Sequence, residues 1–229
     1  MLDKSSRRIR NMFASIAHRY DLANRLLSMR SDMSWRKRVS RELLSQPGLV
    51  LDLAAGTGDL TVDLARHGGH RVIATDFTFE MLAAGRPKYR RSTSGSQIVN
   101  GDALALPFSS GVFDGVTVSF GIRNFDDPVE GLREMHRVIR AGGAAGILEF
   151  SKPNRAINWV YEPYMKHLLP RIGGWISGSR APYQYLADSI SSFPHGDAFL
   201  ALMRDAGFHT LSARPLSGGI ATFYRGEKS

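Results

Sequence analysis

Cysteine is missing altogether from this chain. That excludes disulfide scaffolds, thiolate zinc sites, iron–sulfur clusters and every mechanism with a thiol nucleophile. Long apolar runs are missing too: none reaches the ~18 uninterrupted residues of a membrane span, and the N-terminal stretch has no signal-peptide core. The expected location is therefore cytoplasmic. The seven histidines are scattered, and His67-Gly68-Gly69-His70 reads as a loop, so no metal is expected. Acid is scarce at the N-terminus. Residues 1–41 hold eleven Lys and Arg against three Asp, which accounts for eight of the net charge of +9. Within them Ile9, Met12, Phe13, Ile16, Ala17 and Tyr20 recur at helical spacing, giving an amphipathic helix with a basic face. Such a face suits plain solvation, an anionic membrane surface or nucleic acid.

With 43% hydrophobic and 22% charged residues, the composition supports a folded core and excludes wholesale disorder. The stretch Leu49 to Asp59, LVLDLAAGTGD, organises the rest. Leu49–Leu53 is short, apolar and fits a strand buried on both faces. Small residues follow, then a helical pattern in Leu60, Val62, Leu64 and Ala65. Strand, Gly-rich turn and helix open a nucleotide-binding sheet, because a turn without bulk lets a ligand lie against backbone and helix N-terminus. A complete dinucleotide fingerprint is absent: Ala54 stands where its first glycine falls, and no phosphate-loop lysine follows. Asp52, an acid inside the strand, suits a cationic amino-acid ligand better than a pyrophosphate.

Alternation continues downstream. Arg71 to Asp76 is a second strand ending in an acid placed for a ribose. The helix after it carries Met81, Leu82 and Ala83 and is expected to stop near Pro87. Gln97 to Asn100, Val112 to Phe120 and Ala144 to Phe150 are further strands. Pro128 opens a helix that Gly142-Gly143 is expected to close. Asn154 to Ser192 breaks the rhythm with Trp159, Trp175 and four of the seven tyrosines. That insertion reads either as a cap on the core or as a wall for a long apolar ligand. Asp197 to Ala206 is helical, Phe208 to Ala213 and Ile220 to Arg225 are strands, and Gly218-Gly219 between them is too short for a parallel crossover. The architecture is α/β: a Rossmann-like, mostly parallel seven-stranded sheet with an antiparallel C-terminal hairpin and helices on both faces. One domain is expected, divided into a basic N-terminal lid (1–42), a cofactor-binding core (43–151), an aromatic helical insertion (152–194) and a final helix and hairpin (195–229).

The turn with its antiparallel edge resembles the class I S-adenosylmethionine-dependent methyltransferases. More specific segments are Phe13-x-x-Ile16-Ala17-x-x-Tyr20-Asp21-x-x-Asn24, Gly101-Asp102-Ala103-x-x-Leu106-Pro107-Phe108, Phe120-Gly121-Ile122-Arg123-Asn124, Leu148-Glu149-Phe150-Ser151-x-Pro153 and Tyr183-x-Tyr185-Leu186-x-x-Ser189. On these the chain resembles the menaquinone and ubiquinone biosynthesis C-methyltransferases, the demethylmenaquinone methyltransferase type. It departs from them at Ala55, near Arg30 and at Ala141, where the family carries glycine or proline; Ala55 requires a negative φ there.

The resemblance implies S-adenosylmethionine as methyl donor, no metal, and cofactor roles for Thr57, Asp76, Asp102, Ala103 and Ser119. Gly56 to Gly58 suit backbone approach, Asp52 suits the ammonium or sulfonium charge, and Phe77 suits either adenine stacking or a core position. The implied acceptor is a polyprenyl quinol, demethylmenaquinol or a polyprenyl-methoxy-benzoquinol. Its ring carbon becomes nucleophilic once a hydroxyl titrating near ~10 is deprotonated. Tyr20, Arg123 and Asn124 are the expected catalytic set, with Arg123 holding the developing oxyanion or, alternatively, pairing with Asp126 or Asp127. A membrane-borne substrate suggests transient contact with an anionic membrane surface, through the N-terminus and the insertion. Nicotinamide reduction is disfavoured by the incomplete glycine set, and nucleic acid is not the expected substrate. The sequence leaves the oligomeric state open, a homodimer among the options.

Overall fold

In the computed structural model of the chain, the strand Leu49–Leu53 (β1) is the middle of the fold. Val50 packs into one apolar layer, while Leu51 and Leu53 pack into the other, as a period of two requires of a strand covered on both faces. The structure describes residues 6–17, 21, 25, 28, 30–91, 96–164, 171 and 181–229. Around β1 lie β2 (Arg71–Asp76), β3 (Gln97–Asn100), β4 (Phe113–Ser119), β5 (Ile139–Phe150), β6 (His209–Leu216) and β7 (Ala221–Glu227). Their order is β3-β2-β1-β4-β5-β7-β6. Strands β1 to β5 pair in parallel, and β7 runs antiparallel to both of its neighbours. The closing hairpin expected from Gly218-Gly219 is present, and its second strand is inserted between β5 and β6.

The helices are α1 (Ser6–Ile16), α2 (Ser31–Glu42), α3 (Asp59–His67), α4 (Phe79–Arg91), α5 (Pro128–Val138), α6 (Arg155–Pro163), α7 (Ala181–Ser192) and α8 (Asp197–Asp205). One core layer joins the sheet to α5 and α8 through Leu132, Met135, Phe199 and Met203. The opposite layer joins it to α2 and α3 through Trp35, Val39, Leu60 and Leu64.

Two expected boundaries move. Helix α4 runs through Pro87 to Arg91. A proline in a helix interior forfeits a hydrogen bond and costs ~3 kcal/mol. Burying the Tyr89 ring two residues later, at 2% exposure and with its hydroxyl on the Gly56 carbonyl, offsets that loss. Helix α5 ends at Val138, not at Gly142-Gly143. Ile139 is fully buried opposite Phe113 and draws the chain into β5 at once. The glycine pair then absorbs a register shift: Gly142 takes φ 76°, and a Cβ on Gly143 would stand 2.6 Å from the Asp114 carbonyl oxygen. The start of α5 is as expected, with Pro128 in its first turn and the Asp127 carboxylate capping the Val129 and Glu130 N–H groups at 2.9 and 3.0 Å.

Candidate active site

The turn after β1 is held in place by backbone bonds. The Ala55 N–H donates to the Thr75 carbonyl at 3.0 Å, and the Gly58 N–H closes the turn on Ala55 at 2.9 Å. Positive φ falls on Ala54 (54°), Gly56 (57°) and Gly58 (86°). The alanine under strain is thus Ala54; Ala55, which needed a negative φ, is spared. Across the turn, Asp76 at the tip of β2 accepts the Gly56 N–H at 2.9 Å and the Thr78 N–H at 2.7 Å. Burial pushes its carboxyl up to about 6, and those two donors limit the rise. The glycines differ in use. A Cβ on Gly58 would lie 2.4 Å from the Tyr89 ring, so Gly58 serves helix packing. Gly56 faces the space beyond.

That space is a cleft with two lobes straddling the turn. The larger, about 810 Å³ counting its open mouth, has Asp76, Phe77, Asp102 and Ala103 on one wall and Ser119, Phe120 and Asn124 on the other. The smaller, about 390 Å³, is bounded by Asp52, Thr57, Asp59 and Arg36. Ala54, Gly56, Ser119 and Phe120 border both lobes. Phe120, like Ala54, is a non-glycine residue held at positive φ, 57°, so the two strand tips meeting at the cleft both carry backbone strain. The Ser119 hydroxyl is buried and has no hydrogen-bond partner among the described residues. Phe77 is 40% exposed at the mouth, not in the core. Asp102 is exposed, and its Oδ1 accepts the Leu104 N–H at 2.9 Å.

Asp52 sits in the smaller lobe, 1% exposed, with the Thr61 and Thr117 hydroxyls donating at 2.6 and 3.0 Å. Burial raises its carboxyl to about 7, with the two hydroxyls pulling the other way. The Thr57 hydroxyl donates to Asp21 at 2.5 Å and accepts from Lys88 at 3.2 Å, and Lys88 also pairs with Asp21 and Asp59 at 2.5 Å each. The N-terminal segment is thereby tied to the turn. The basic N-terminus is consequently not one solvated face: Arg36 is 5% exposed and pairs with Asp32 and Asp59.

The expected catalytic residues separate. Tyr20 lies outside the described residues. Arg123 and Asn124 share the 3-10 turn Ile122–Asn124 just past β4. Asn124 borders the larger lobe; Arg123 borders neither lobe and is 4% exposed. Its Nη1 donates to Glu149 at 2.6 Å and to the Phe120 carbonyl at 2.6 Å, and its guanidinium stands 5.6 Å over the Phe150 ring. Glu149 is therefore the strong partner, and Asp127 is committed to capping α5. Burial raises the Glu149 carboxyl, against the pull of Arg123. Asn124 Oδ1 accepts from the Tyr185 hydroxyl of α7 at 3.1 Å.

The sequence motifs contain Glu149 and Tyr185 but give neither a role. For Glu149 a signal existed, an acid inside the apolar strand Ile147-Leu148-Glu149-Phe150. For Tyr185 none did, because its partner lies 61 residues away.

Comparison with known proteins agrees with this architecture. A SAM-dependent methyltransferase from Thermotoga maritima shares the fold at TM-score 0.70 and 20% identity, over 96% of this chain and 99% of that one. A phosphoethanolamine N-methyltransferase from Haemonchus contortus, solved with S-adenosyl-L-methionine, matches at TM-score 0.62 and 11% identity, over 85% of this chain and 52% of that one. In sequence, a ubiquinone/menaquinone biosynthesis C-methyltransferase UbiE from Geobacter sp. is 44% identical over 99% of both chains. A demethylmenaquinone methyltransferase from Thermus thermophilus is 43% identical over 95% of this chain and all of its own. The family model described as the ubiE/COQ5 methyltransferase family matches residues 1–228, and the chain belongs to that family.

Proposed function

We infer that this chain is an S-adenosylmethionine-dependent C-methyltransferase of a polyprenylated quinol, with demethylmenaquinol as its acceptor. The observation that carries the reading is the near full-length family match, joined to a two-lobed cleft of the right chemistry. Menaquinone figures in the names of both relatives, which supports the naphthoquinol over the benzoquinol.

The residues present fit the cofactor. Asp76 keeps lone pairs for the ribose hydroxyls after accepting two N–H groups. Phe77 offers a face to the adenine, and Asp102 with Ala103 an acceptor and a small surface beside it. Asp52 and Thr57 suit the amino-acid end, and the buried Ser119 hydroxyl supplies a donor still in need of a partner. When bound, S-adenosylmethionine supplies an electrophilic methyl group on a sulfonium, ready for in-line displacement.

The chain's own contribution is alignment and charge. With its Oδ1 taken by Tyr185, the Asn124 amide has N–H donors left for the quinol oxygen. Arg123 stands behind it as a permanent cation, locked by Glu149, and favours the phenolate form. Tyr20 joins the set on the family resemblance alone. The quinol hydroxyl would lose its proton to solvent, the ring carbon would take the methyl group as the methyl–sulfur bond breaks and S-adenosylhomocysteine leaves, and loss of the proton on that carbon would restore the aromatic ring.

Contact with a membrane surface accords with α6, whose Trp159 is 75% exposed. Among the described residues no helix is long and apolar enough to cross a membrane. Flotation with anionic liposomes should recover the chain, and Trp159→Ala should weaken recovery. The decisive test is quinone profiling of a host lacking its own enzyme and complemented with this chain. Disappearance of demethylmenaquinone supports the reading; unchanged demethylated pools overturn it.

A further inference from the structure

The amino-acid end of S-adenosylmethionine carries two charges, and Asp52 accounts for only one of them. Arg36 borders the same lobe, although it comes from α2, a helix outside the sheet and outside the Gly-rich turn. Its side chain is 6% exposed. Both of its acidic partners, Asp32 and Asp59, take the same nitrogen, Nη2. Nε is buried with no hydrogen-bond partner among the described residues, and neither of these two bonds uses Nη1. A guanidinium offers five N–H donors in a planar fork, and leaving the buried Nε–H without an acceptor is unfavourable.

A purely structural bridge explains this poorly. Asp59 has Lys88 at 2.5 Å and Arg25 at 4.0 Å besides Arg36 at 3.1 Å, so it does not depend on Arg36 for a counter-charge. What the two acids do is fix the guanidinium in place, which is the arrangement of a preorganised anion site. The lobe already offers an acid, Asp52, beside the Gly-rich turn. An acid and a cation in one small lobe match a zwitterionic amino-acid group.

We propose that Arg36 binds the carboxylate of the cofactor's amino-acid moiety, making the N-terminal helix α2 part of the cofactor site. The proposal rests on the cleft being the S-adenosylmethionine site. It makes the carboxylate a requirement: an adenosyl sulfur compound lacking it is discriminated against by this helix and not by the sheet.

Calorimetry on the full chain tests this with three probes: S-adenosylhomocysteine, its decarboxylated analogue, and methylthioadenosine, which has no amino-acid group. The unaltered chain should bind S-adenosylhomocysteine about 10- to 100-fold more tightly than the decarboxylated analogue. Arg36→Met should abolish that preference while leaving the other two affinities within about 3-fold, as the additivity of independent groups requires. Arg36→Lys, which keeps the charge and loses the fork, should restore part of it. Equal binding of the first two probes by the unaltered chain overturns the proposal without need of any variant. An Arg36→Met chain that loses all three ligands alike also overturns it, by assigning Arg36 to folding. If no adenosyl probe binds the unaltered chain, the reading of the cleft itself fails, and the proposal with it.

Discussion

The two sides of the cleft are built by different means. On the side proposed for the cofactor's ribose, the frame is anchored by backbone at strand tips: Asp76 is held by the N–H groups of Gly56 and Thr78, and the turn by Ala55 on Thr75. At the side proposed for the acceptor, and directly behind it, side chains hold side chains across long stretches of sequence, Asn124 on Tyr185 and Arg123 on Glu149. Backbone anchoring survives the loss of any one side chain. A side-chain lock does not, so the acceptor side should fail first when single residues are removed while the cofactor still binds.

The strongest way to break that contrast is Arg123→Met. It leaves Glu149 buried and unpaired, and should cost about 3–5 kcal/mol in denaturant unfolding and abolish methyl transfer. S-adenosylhomocysteine affinity, measured by calorimetry, should stay within about 3-fold. Adding Glu149→Leu should return most of the stability and none of the turnover. A parallel loss of cofactor affinity would show the two sides to be one unit.

Next in size is the pH response of the cofactor side. Asp52 at about 7 and Asp76 at about 6 are raised from 3.8, so between about pH 4 and 7 the folded chain keeps protons that the unfolded chain has released. Stability then falls as pH rises through that window, by up to about 4 kcal/mol for Asp52. Unfolding midpoints in denaturant across pH 4 to 8 should show the decline, and Asp52→Asn should flatten it. Cofactor binding near pH 6.5 should release protons, seen as calorimetric heats that depend on the ionisation enthalpy of the buffer.

Asp76→Ala should weaken S-adenosylhomocysteine binding about 10- to 100-fold without loss of stability above pH 7, because it removes a buried carboxylate. Tyr185→Phe is milder: kcat should fall about 2- to 10-fold at unchanged cofactor affinity, the value of one hydrogen bond that orients Asn124. The smallest effect lies outside both sides. Arg30 is held at φ 64°, in the left-handed region, so Arg30→Gly should raise stability by about 0.5–1 kcal/mol and leave kinetics alone.

Much of this was readable beforehand for a physical reason. The turn, the strands and Asp76 are local features, set by side-chain size and by alternation along a few residues. The elements misplaced at Pro87 and at Gly142-Gly143 were those where a buried neighbour, Tyr89 or Ile139, outweighed a local stop signal. The expected partners of Arg123, Asp126 or Asp127, were near in sequence, whereas Glu149 becomes its neighbour only because β4 and β5 lie side by side.

By itself the sequence determined the sheet, its closing hairpin, the cofactor class and the family, since each depends on short-range pattern or on motifs spread along the chain. Tertiary structure alone decided which charges are buried and what they touch. Arg36 reads as one of eleven basic residues among the first 41 until α2 packs on α3 beside the turn. Burial there converts an ordinary surface cation into a doubly paired one at the wall of the smaller lobe, because desolvation and pairing depend on neighbours that no local pattern specifies.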